Sequence, residues 1–499
     1  LEIDPEDSEC LNSYGNILAL TSRNFEAIAA YEKSLRVAPN YPNPAIALGN
    51  LHLRLKNPVQ AVSVYEACLR HNPQNKPLII GFIHALKDAQ RYEEARAVLK
   101  KLPPDPSLAL VAGQIAAVNN QMPIARGAFA QALAHPPSSF MAFRNLVQLE
   151  WLSGGTEGAQ KLIKDMTVQN PEAPMLYLGG ADLLADMGEA DEGIDLLEEA
   201  EQKFGEQPDI ASARAKLWIE LGEADAARVQ AENALKGRPG ELGAMAHYAR
   251  AKLMLGDFDT ALQVAKAAQM RQPNNQFWIA IEATALRGLG QTEAYNALYD
   301  YNLVRVYDLD APPEYDNMEM FLSKLKAEML ALHEGEHFPL GQSLRGGTQT
   351  SRDLRFAKSR VIQDFFQALN QPISDYIQAM PQSGTHPLFR RKREGHRLTG
   401  AWSVRLSGGG FHVSHIHPEG WISSAFYIDV PSDIESEKNK AGWIEFGRPP
   451  FEVPGFDAEH SVMPTPGRLV LFPSYMWHGT VPIEGKRTRL TLPFDVVPS

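Results

Sequence analysis

Cysteine is scarce in this sequence: only Cys10 and Cys68 occur among 499 residues. Two thiols cannot form a disulfide framework, so the composition favours a reducing, cytoplasmic setting. No stretch approaches the roughly 18 consecutive apolar residues of a membrane span, which predicts a protein that does not cross a membrane. An excess of basic residues is also lacking. The formal charge is −12, which argues against a nucleic-acid partner, whose binding surface would be basic.

The beginning of the chain has neither an initiator methionine nor a signal-peptide pattern, because it opens on Leu1. Whether residues are missing upstream of Leu1 is left open by this pattern. The length of 499 residues is too great for a single hydrophobic core. Two or more domains are therefore expected.

Internal repeats fill the first three-fifths of the chain. A spacing of 34 residues relates three sets of positions: Pro5, Pro39 and Pro73; Gly15 and Gly49; Tyr31 and Tyr65. Apolar residues between them recur at i, i+3, i+4 and i+7, the spacing of an amphipathic helix. Small residues let two helices pack closely, tyrosine fills the gap, and proline ends the second helix. The pattern resembles the tetratricopeptide repeat and predicts a helical solenoid over residues 1–307, with a surface suited to protein or peptide partners.

The periodicity changes to two in the C-terminal third. Helices are expected near residues 318–333 and 354–380, after which glycine and proline divide the sequence into short runs such as WISSAFYIDV and GRLVLFP. Alternating or wholly apolar runs of this length are typical of strands. The predicted fold class is therefore multi-domain, with an all-α solenoid followed by a β-sandwich or jelly roll and supporting helices.

Histidines concentrate in the segment HVSHIHPEGW, residues 412–421. His415 and His417 are two residues apart, so in extended backbone both imidazoles face the same side and could converge on one metal ion. His478, where the apolar run GRLVLFP gives way to a turn, is the best third ligand. Such a trio is typical of mononuclear iron sites with open positions. His412 would face the opposite side and take a structural or outer role. The alternative for all of them is a surface or hydrogen-bonded core position.

The last predicted strand carries Arg487, Arg489 and Thr491 on one face. An arginine inside a β-barrel needs an anionic partner, because an unpaired buried charge is costly. A dicarboxylate cosubstrate could supply that partner, with the Thr491 hydroxyl as a further donor. Arg489 lies in the more apolar part of the strand and is preferred over Arg487. A surface ion pair is the alternative for either arginine.

Four segments together resemble a known family: QSLRGGTQT (342–350), GGFHVSHIHPEGWISSAFYIDVP (409–431), FPSYMWHGTVP (472–482) and RLTLPFDV (489–496). They are similar to the Fe(II)/2-oxoglutarate-dependent oxygenases that carry tetratricopeptide repeats, and distantly to the aspartyl/asparaginyl β-hydroxylases. The resemblance covers residues 338–499 and leaves 308–337 as a linker and helix. It implies a double-stranded β-helix, Fe(II) on His415 and His478, and 2-oxoglutarate on Arg489 and Thr491. It also implies a hydrogen bond from Tyr427 to the same carboxylate.

The sequence departs from this family at His417, where an aspartate or glutamate is usual. Two interpretations follow. Three neutral imidazoles would leave the ferrous centre with a charge of +2, or His417 would not bind the metal and water would take its place. The β-hydroxylases also lack an acidic ligand, so the departure does not exclude catalysis.

Function follows from both halves of the chain. The repeat array makes a protein or peptide substrate more plausible than a metabolite, and the resemblance implies that it is hydroxylated by molecular oxygen. The basic run FRRKREGHR (389–397) would attract acidic peptides or simply be a solvated loop. Four tryptophans could line the site, with packing in the hydrophobic core as the simpler alternative: Trp402, Trp421, Trp443 and Trp477.

Two alternative functions remain. One is an interaction scaffold with an inactive oxygenase-like domain. The other is a cupin-type metalloenzyme that does not use 2-oxoglutarate, because GRLVLFPSYMWH resembles the second cupin motif. The glutamate expected after the first two histidines of a cupin is missing, which weighs against the second alternative.

Overall fold

The computed structural model describes residues 6–21, 23–103, 105–333, 338–431, 440–483, 485 and 487–499. Contacts between residues divide the chain into two compact units, Leu1–Leu146 and Val147–Ser499. In the described part of the chain, no helix is both long and apolar enough to cross a lipid bilayer.

Antiparallel helix pairs build the first unit. Its helices are α1 (Ser8–Leu20), α2 (Asn24–Val37), α3 (Pro42–Arg54), α4 (Pro58–Leu69), α5 (Lys76–Asp88), α6 (Tyr92–Leu99), α7 (Pro106–Val118) and α8 (Met122–Leu133). Each odd-numbered helix packs against the next even-numbered one. A Cβ atom on Gly49 or Gly81 would lie 2.4 Å from the ring of Tyr65. The predicted packing of small residues against tyrosine is thus present, and a larger side chain would force the helices apart.

The same arrangement continues in the second unit. Its helices in this region are α10 (Pro174–Met187), α11 (Ala190–Phe204), α12 (Pro208–Glu220), α13 (Ala224–Gly237), α14 (Leu242–Met254), α15 (Phe258–Arg271), α16 (Gln276–Gly288) and α17 (Thr292–Leu298). Between the two sets, α9 (Pro136–Gln169) is interrupted at Gly155, where φ is 66°. The predicted helical array over the first three-fifths is confirmed. Pro106 and Pro208 occupy the first turn of α7 and α12, where a missing N–H costs nothing.

Antiparallel strands dominate the C-terminal region. They are β1 (Arg305–Asp308), β2 (Leu344–Gln349), β3 (His396–Ala401), β4 (Val404–His412), β5 (Ile422–Asp429), β6 (Ile444–Phe446), β7 (His460–Val462), β8 (Arg468–Pro473), β9 (His478–Thr480), β10 (Arg489–Thr491) and β11 (Phe494–Pro498). Among the described residues, eight strands form one sheet with the path β1-β8-β5-β10-β4-β2, and β11 pairs with β3 and β5. A second sheet has the order β7-β6-β9. These two antiparallel sheets give the predicted jelly roll.

Three helices support the sheets: α18 (Met318–Leu332), α19 (Arg360–Ala368) and α20 (Asn370–Gln378). Residues 305–308, which the sequence analysis places where the array meets the linker, form the edge strand β1. This strand pairs with β8 from Arg305 opposite Leu471 to Asp308 opposite Arg468. Four residues are too few for a period of two to be visible in the sequence.

One hydrophobic cluster joins the last repeat helices to the jelly roll. It runs from Ile219 and the α16 residues to the buried residues of β5, β8 and β11. Trp477 donates its indole N–H to the hydroxyl of Thr284 on α16, at 2.9 Å. Tyr475 donates to the carbonyl of Leu298 at 2.8 Å. The helices after α12 and the β-sheets of the second unit therefore share one core.

Candidate metal centre

Backbone pairing brings the two histidine segments together. His415 and His478 form an isolated antiparallel bridge, in which each N–H donates to the other residue's carbonyl at 2.9 and 3.0 Å. The N–H of His417 donates to the carbonyl of Ser474 at 3.1 Å. Because these bonds fix the register, the side chains at 415 and 417 face the start of β9.

The three imidazoles predicted from the sequence meet at one point. The ligand nitrogens of His415, His417 and His478 all lie within 4.8 Å of one another. The ring centroids of His415 and His478 are 4.2 Å apart, and that of His417 lies 5.3 and 5.2 Å from them. His415 and His417 are half-buried and His478 is buried. Three imidazoles at this spacing can hold a divalent transition metal and leave further positions open.

The Nδ1 atom of each ring is already occupied. In His415 it bonds the carbonyl of Val413 at 2.8 Å, and in His478 the carbonyl of Met476 at 2.9 Å. These bonds fix the tautomer and leave Nε2 as the nitrogen available to a metal. Burial lowers the pKa of His415 to about 3 and that of His478 well below its usual value. Both rings are therefore neutral at physiological pH, as a metal ligand must be.

His417 differs because a carboxylate lies behind it. Its Nδ1 is 2.6 and 2.7 Å from the two carboxylate oxygens of Asp495 on β11. Burial pushes the pKa of His417 down, but the charge and hydrogen bond of Asp495 outweigh it and raise that pKa. Ser423 on β5 donates to Asp495 at 2.8 Å. In the family that the sequence resembles, an aspartate or glutamate is usual at the position of His417. Here the carboxylate of Asp495 contacts the His417 ring from the side of Nδ1.

Asp495 and Ser343 are site residues that the sequence analysis did not identify. The hydroxyl of Ser343 lies 3.3 Å from Nε2 of His415 and 3.0 Å from Nδ1 of His412. His412 ends β4 with its ring centroid 5.8 Å from that of His415, and it is outside the trio. The signal for Asp495 was that it is the one acidic residue of the segment RLTLPFDV. Ser343 lies in the segment QSLRGGTQT, but no local pattern there assigns it a place beside the histidines.

Replacing Asp495 by asparagine should lower metal affinity by about 10- to 100-fold, the usual effect of removing the carboxylate behind a ligating histidine. The physical reason is that His417 loses the charge that orients its ring and raises its basicity. Titration of the metal-free protein with Co(II), followed by visible absorption, measures the change. Asp308→Asn, at the Asp308–Arg468 pair, is the matched control and should bind cobalt like the wild type. Unchanged affinity in Asp495→Asn would show that Asp495 has no part in the site.

A buried arginine lies in the same domain. Arg489 on β10 is 3 % exposed, and Thr491 and Tyr427 are also buried. Arg489 donates to the carbonyl of Gly442 and, at 3.4 Å, to the hydroxyl of Thr480. Its Nε atom has no partner, and among the described residues no carboxylate forms an ion pair with it. Burial therefore lowers the pKa of Arg489.

The surroundings of Arg489 fit a carboxylate. The ring of Tyr427 lies 5.5 Å from the guanidinium carbon, and its hydroxyl is buried without a hydrogen-bond partner. Buried polar atoms are nearly always paired, so an unpaired guanidinium nitrogen next to an unpaired phenol indicates a missing acceptor. Thr491 contributes less, because its hydroxyl is 3.5 Å from the carbonyl of Val404. Burial lowers the pKa of His412, and the positive charge of Arg489 lowers it further.

The other candidates mostly serve the fold. Trp421 and Trp477 are buried in the core, whereas the ring of Trp402 stacks at 6.0 Å from that of His417. In the basic run, Arg391 donates to the carbonyl of Gly420. Lys392 donates to two carbonyls at the end of α20, those of Gln378 and Met380. These two cations satisfy main-chain acceptors instead of forming a charged patch.

Two family models match separate parts of the chain. Residues 400–495 match the family described as "Putative 2OG-Fe(II) oxygenase". Residues 55–113 match a tetratricopeptide repeat family. The first match contains the histidine trio, Arg489 and Asp495. The chain thus joins tetratricopeptide repeats to an oxygenase-family domain, which confirms the resemblance.

Two solved structures are similar to about half of the chain. One is a tetratricopeptide repeat protein from Parabacteroides merdae ATCC 43184, with 17% identity, a TM-score of 0.32, and coverage of 49% of this chain and 98% of that one. Another is pilF of Pseudomonas aeruginosa, with 17% identity, a TM-score of 0.26, and coverage of 48% and 94%. Likenesses with TM-scores this low do not bear on function. No curated protein matches the chain.

Proposed function

We propose that this protein is an Fe(II)- and 2-oxoglutarate-dependent dioxygenase that hydroxylates a side chain of a protein or peptide. In this proposal residues 1–307 recruit the substrate, 308–337 form a linker and helix, and 338–499 carry the chemistry. The observation that supports it most is the convergence of His415, His417 and His478 in a domain whose buried Arg489 lacks an anion.

The roles of the residues follow from their contacts. His415, His417 and His478 would hold iron through Nε2, because their Nδ1 atoms are bonded to carbonyls or to Asp495. Asp495 would offset part of the metal charge and keep the His417 ring in place. When both groups are bound, iron and 2-oxoglutarate supply the oxygen activation that the side chains themselves cannot perform.

The side chains of the protein would bind 2-oxoglutarate and orient it. Arg489 would pair with the distal carboxylate, and the hydroxyl groups of Tyr427 and Thr491 would donate to it. Because Arg489 and Tyr427 are buried, this pairing would take place away from water, where a charge-assisted hydrogen bond is strongest. The carboxylate would also satisfy polar atoms that otherwise lack a partner.

The test is formation of succinate from 2-oxoglutarate by the full chain. Protein loaded with Fe(II) under argon is exposed to oxygen and 2-oxoglutarate, and succinate is measured by mass spectrometry. We expect succinate above the level of His478→Ala protein treated identically, and none when iron or oxygen is omitted. If protein with verified iron content makes no more succinate than the variant, the chain is an interaction scaffold or an enzyme that does not use 2-oxoglutarate.

A further inference from the structure

A row of polar residues crosses successive repeats of the second unit. Asp182, Lys216, Arg250 and Thr284 are each 34 residues apart and lie on α10, α12, α14 and α16, the first helices of four consecutive pairs. These helices contact one another in sequence order. Residues at equivalent positions therefore form a line across the array. The line ends at Thr284, which accepts the hydrogen bond of Trp477, the neighbour of His478.

Charges in this row are paired except at Arg250. Lys216 forms an ion pair with Asp182 and lies 3.8 Å from Glu220. Among the residues that the structure describes, none accepts a hydrogen bond from the Arg250 guanidinium or forms an ion pair with it, and its Nε is sealed from solvent without a partner. Burial lowers the pKa of Arg250 to about 10, although the carboxylate of Glu220 opposes the change. Among the described residues, Arg250 thus has a carboxylate in its neighbourhood but no acceptor in direct contact.

Two neighbours of Arg250 define its surroundings, one on α16 and one on α14 itself. The guanidinium carbon lies 4.8 Å from the ring centre of Phe277 on α16, so one face of the group is covered. His247, one turn earlier on α14, has an Nδ1 atom that is likewise buried without a partner. Burial lowers the pKa of His247 to about 3, so this ring is neutral and can donate one hydrogen bond.

The helical row approaches the segment that leads into β2, since a Cβ atom on Gly341 would lie 3.5 Å from the carboxylate of Asp186 on α10. Glu220 acts on the pKa of both Arg250 and Arg345. Arg345 is on β2, where the preceding residue, Leu344, pairs with His412. The row of helices therefore approaches the segment that leads into β2, and β2 pairs with the end of β4 at His412.

We propose that Arg250, with His247, forms a subsite for an aspartate or glutamate side chain of the peptide substrate. The proposal rests on the function proposed above and adds a substrate class to it. A carboxylate would bind the free edge of the guanidinium in bidentate fashion. A monoanion suits the site better than a phosphate dianion, because Asp182 in the row and Glu220, one turn after Lys216 on α12, would repel the additional charge.

Binding of a defined probe tests the subsite without any enzymatic step. The probe is a fluorescein-labelled decapeptide of alternating glycine and glutamate with an amidated C-terminus, and its glutamine counterpart is the neutral reference. Fluorescence anisotropy with metal-free full chain should show a preference for the glutamate peptide of about tenfold or more, the effect of one charge-assisted pair. Arg250→Gln should abolish this preference. Arg238→Gln, at the exposed Arg238–Asp209 ion pair, should retain it.

Equal affinity of the wild type for both peptides would overturn the subsite, as would equal loss of the preference in the two variants. Because iron and 2-oxoglutarate are absent, the result is independent of whether the chain makes succinate. A second measurement checks the fold. Arg250→Met should raise the melting temperature of the peptide-free protein, since it removes a half-buried cation whose Nε has no hydrogen-bond partner. A lower melting temperature would mean that Arg250 serves the packing on Phe277 and would contradict the proposal.

Discussion

Replacing His478 by alanine should abolish succinate formation and weaken Co(II) binding by more than about 100-fold, which exceeds the usual effect of removing an outer carboxylate. The reason is geometric. His478 is the member of the trio contributed by β9, and without it the two imidazoles at 415 and 417 come from a single segment. Cobalt titration and the succinate assay on the same preparation measure both losses.

Controls separate loss of the site from loss of the fold. His415→Ala, on the opposite side of the isolated bridge, should give the same two losses. His396→Ala, on β3 and outside the trio, should leave cobalt binding and succinate formation unchanged. Circular dichroism checks that all three variants retain their secondary structure. If His478→Ala still bound cobalt with wild-type affinity, the three rings would not share a metal.

The second large effect is expected at Arg489. Arg489→Met should raise the apparent KM for 2-oxoglutarate by about 30-fold or more, the range for losing one member of a buried charge pair. The value of kcat at saturating 2-oxoglutarate should change far less, because the distal carboxylate is remote from the reacting atoms. Steady-state succinate formation over a range of 2-oxoglutarate concentrations separates the two constants.

Stability gives an independent test of the same residue. Arg489 has no carboxylate partner among the described residues, so Arg489→Met should not lower the melting temperature of the ligand-free protein. Arg487→Met is the matched control and should leave the KM for 2-oxoglutarate unchanged. A higher KM in Arg487→Met and not in Arg489→Met would show that the other arginine holds the cosubstrate. A loss of stability without a change in KM would make Arg489 a structural residue.

The parts of the site that follow from local periodicity could be predicted from the sequence. The spacing of His415 and His417 fixes their shared face in any extended segment, and the end of an apolar run marked His478. The helical repeat array could also be predicted, because its 34-residue spacing is visible in the sequence alone. These predictions needed no knowledge of which strands pair.

The parts that depend on strand pairing could not be predicted. Asp495 lies behind His417 only because β11 pairs with β5, with Asp495 opposite Ser423. Ser343 approaches His415 because β2 pairs with β4. Arg250 reads as an ordinary charged position of an amphipathic helix, and its lack of a counterion is visible only when the neighbouring helices are in place. Contacts between distant residues leave no periodic signal in one sequence.

The core that α16 shares with β8 and β11 has a thermodynamic consequence. Thr284 on α16 and Trp477 beside β9 belong to this shared core and should unfold together. A ligand bound by the strands would then also stabilise the last repeat helices against unfolding. At a concentration 100 times its Kd, such a ligand adds about 2.7 kcal/mol to the free energy of unfolding of the whole cooperative unit. In differential scanning calorimetry, residues 208–499 should thus give one unfolding endotherm, and its midpoint should rise when the ligand is added. Binding of a ligand by the strands would thus stabilise the last repeats through that transition.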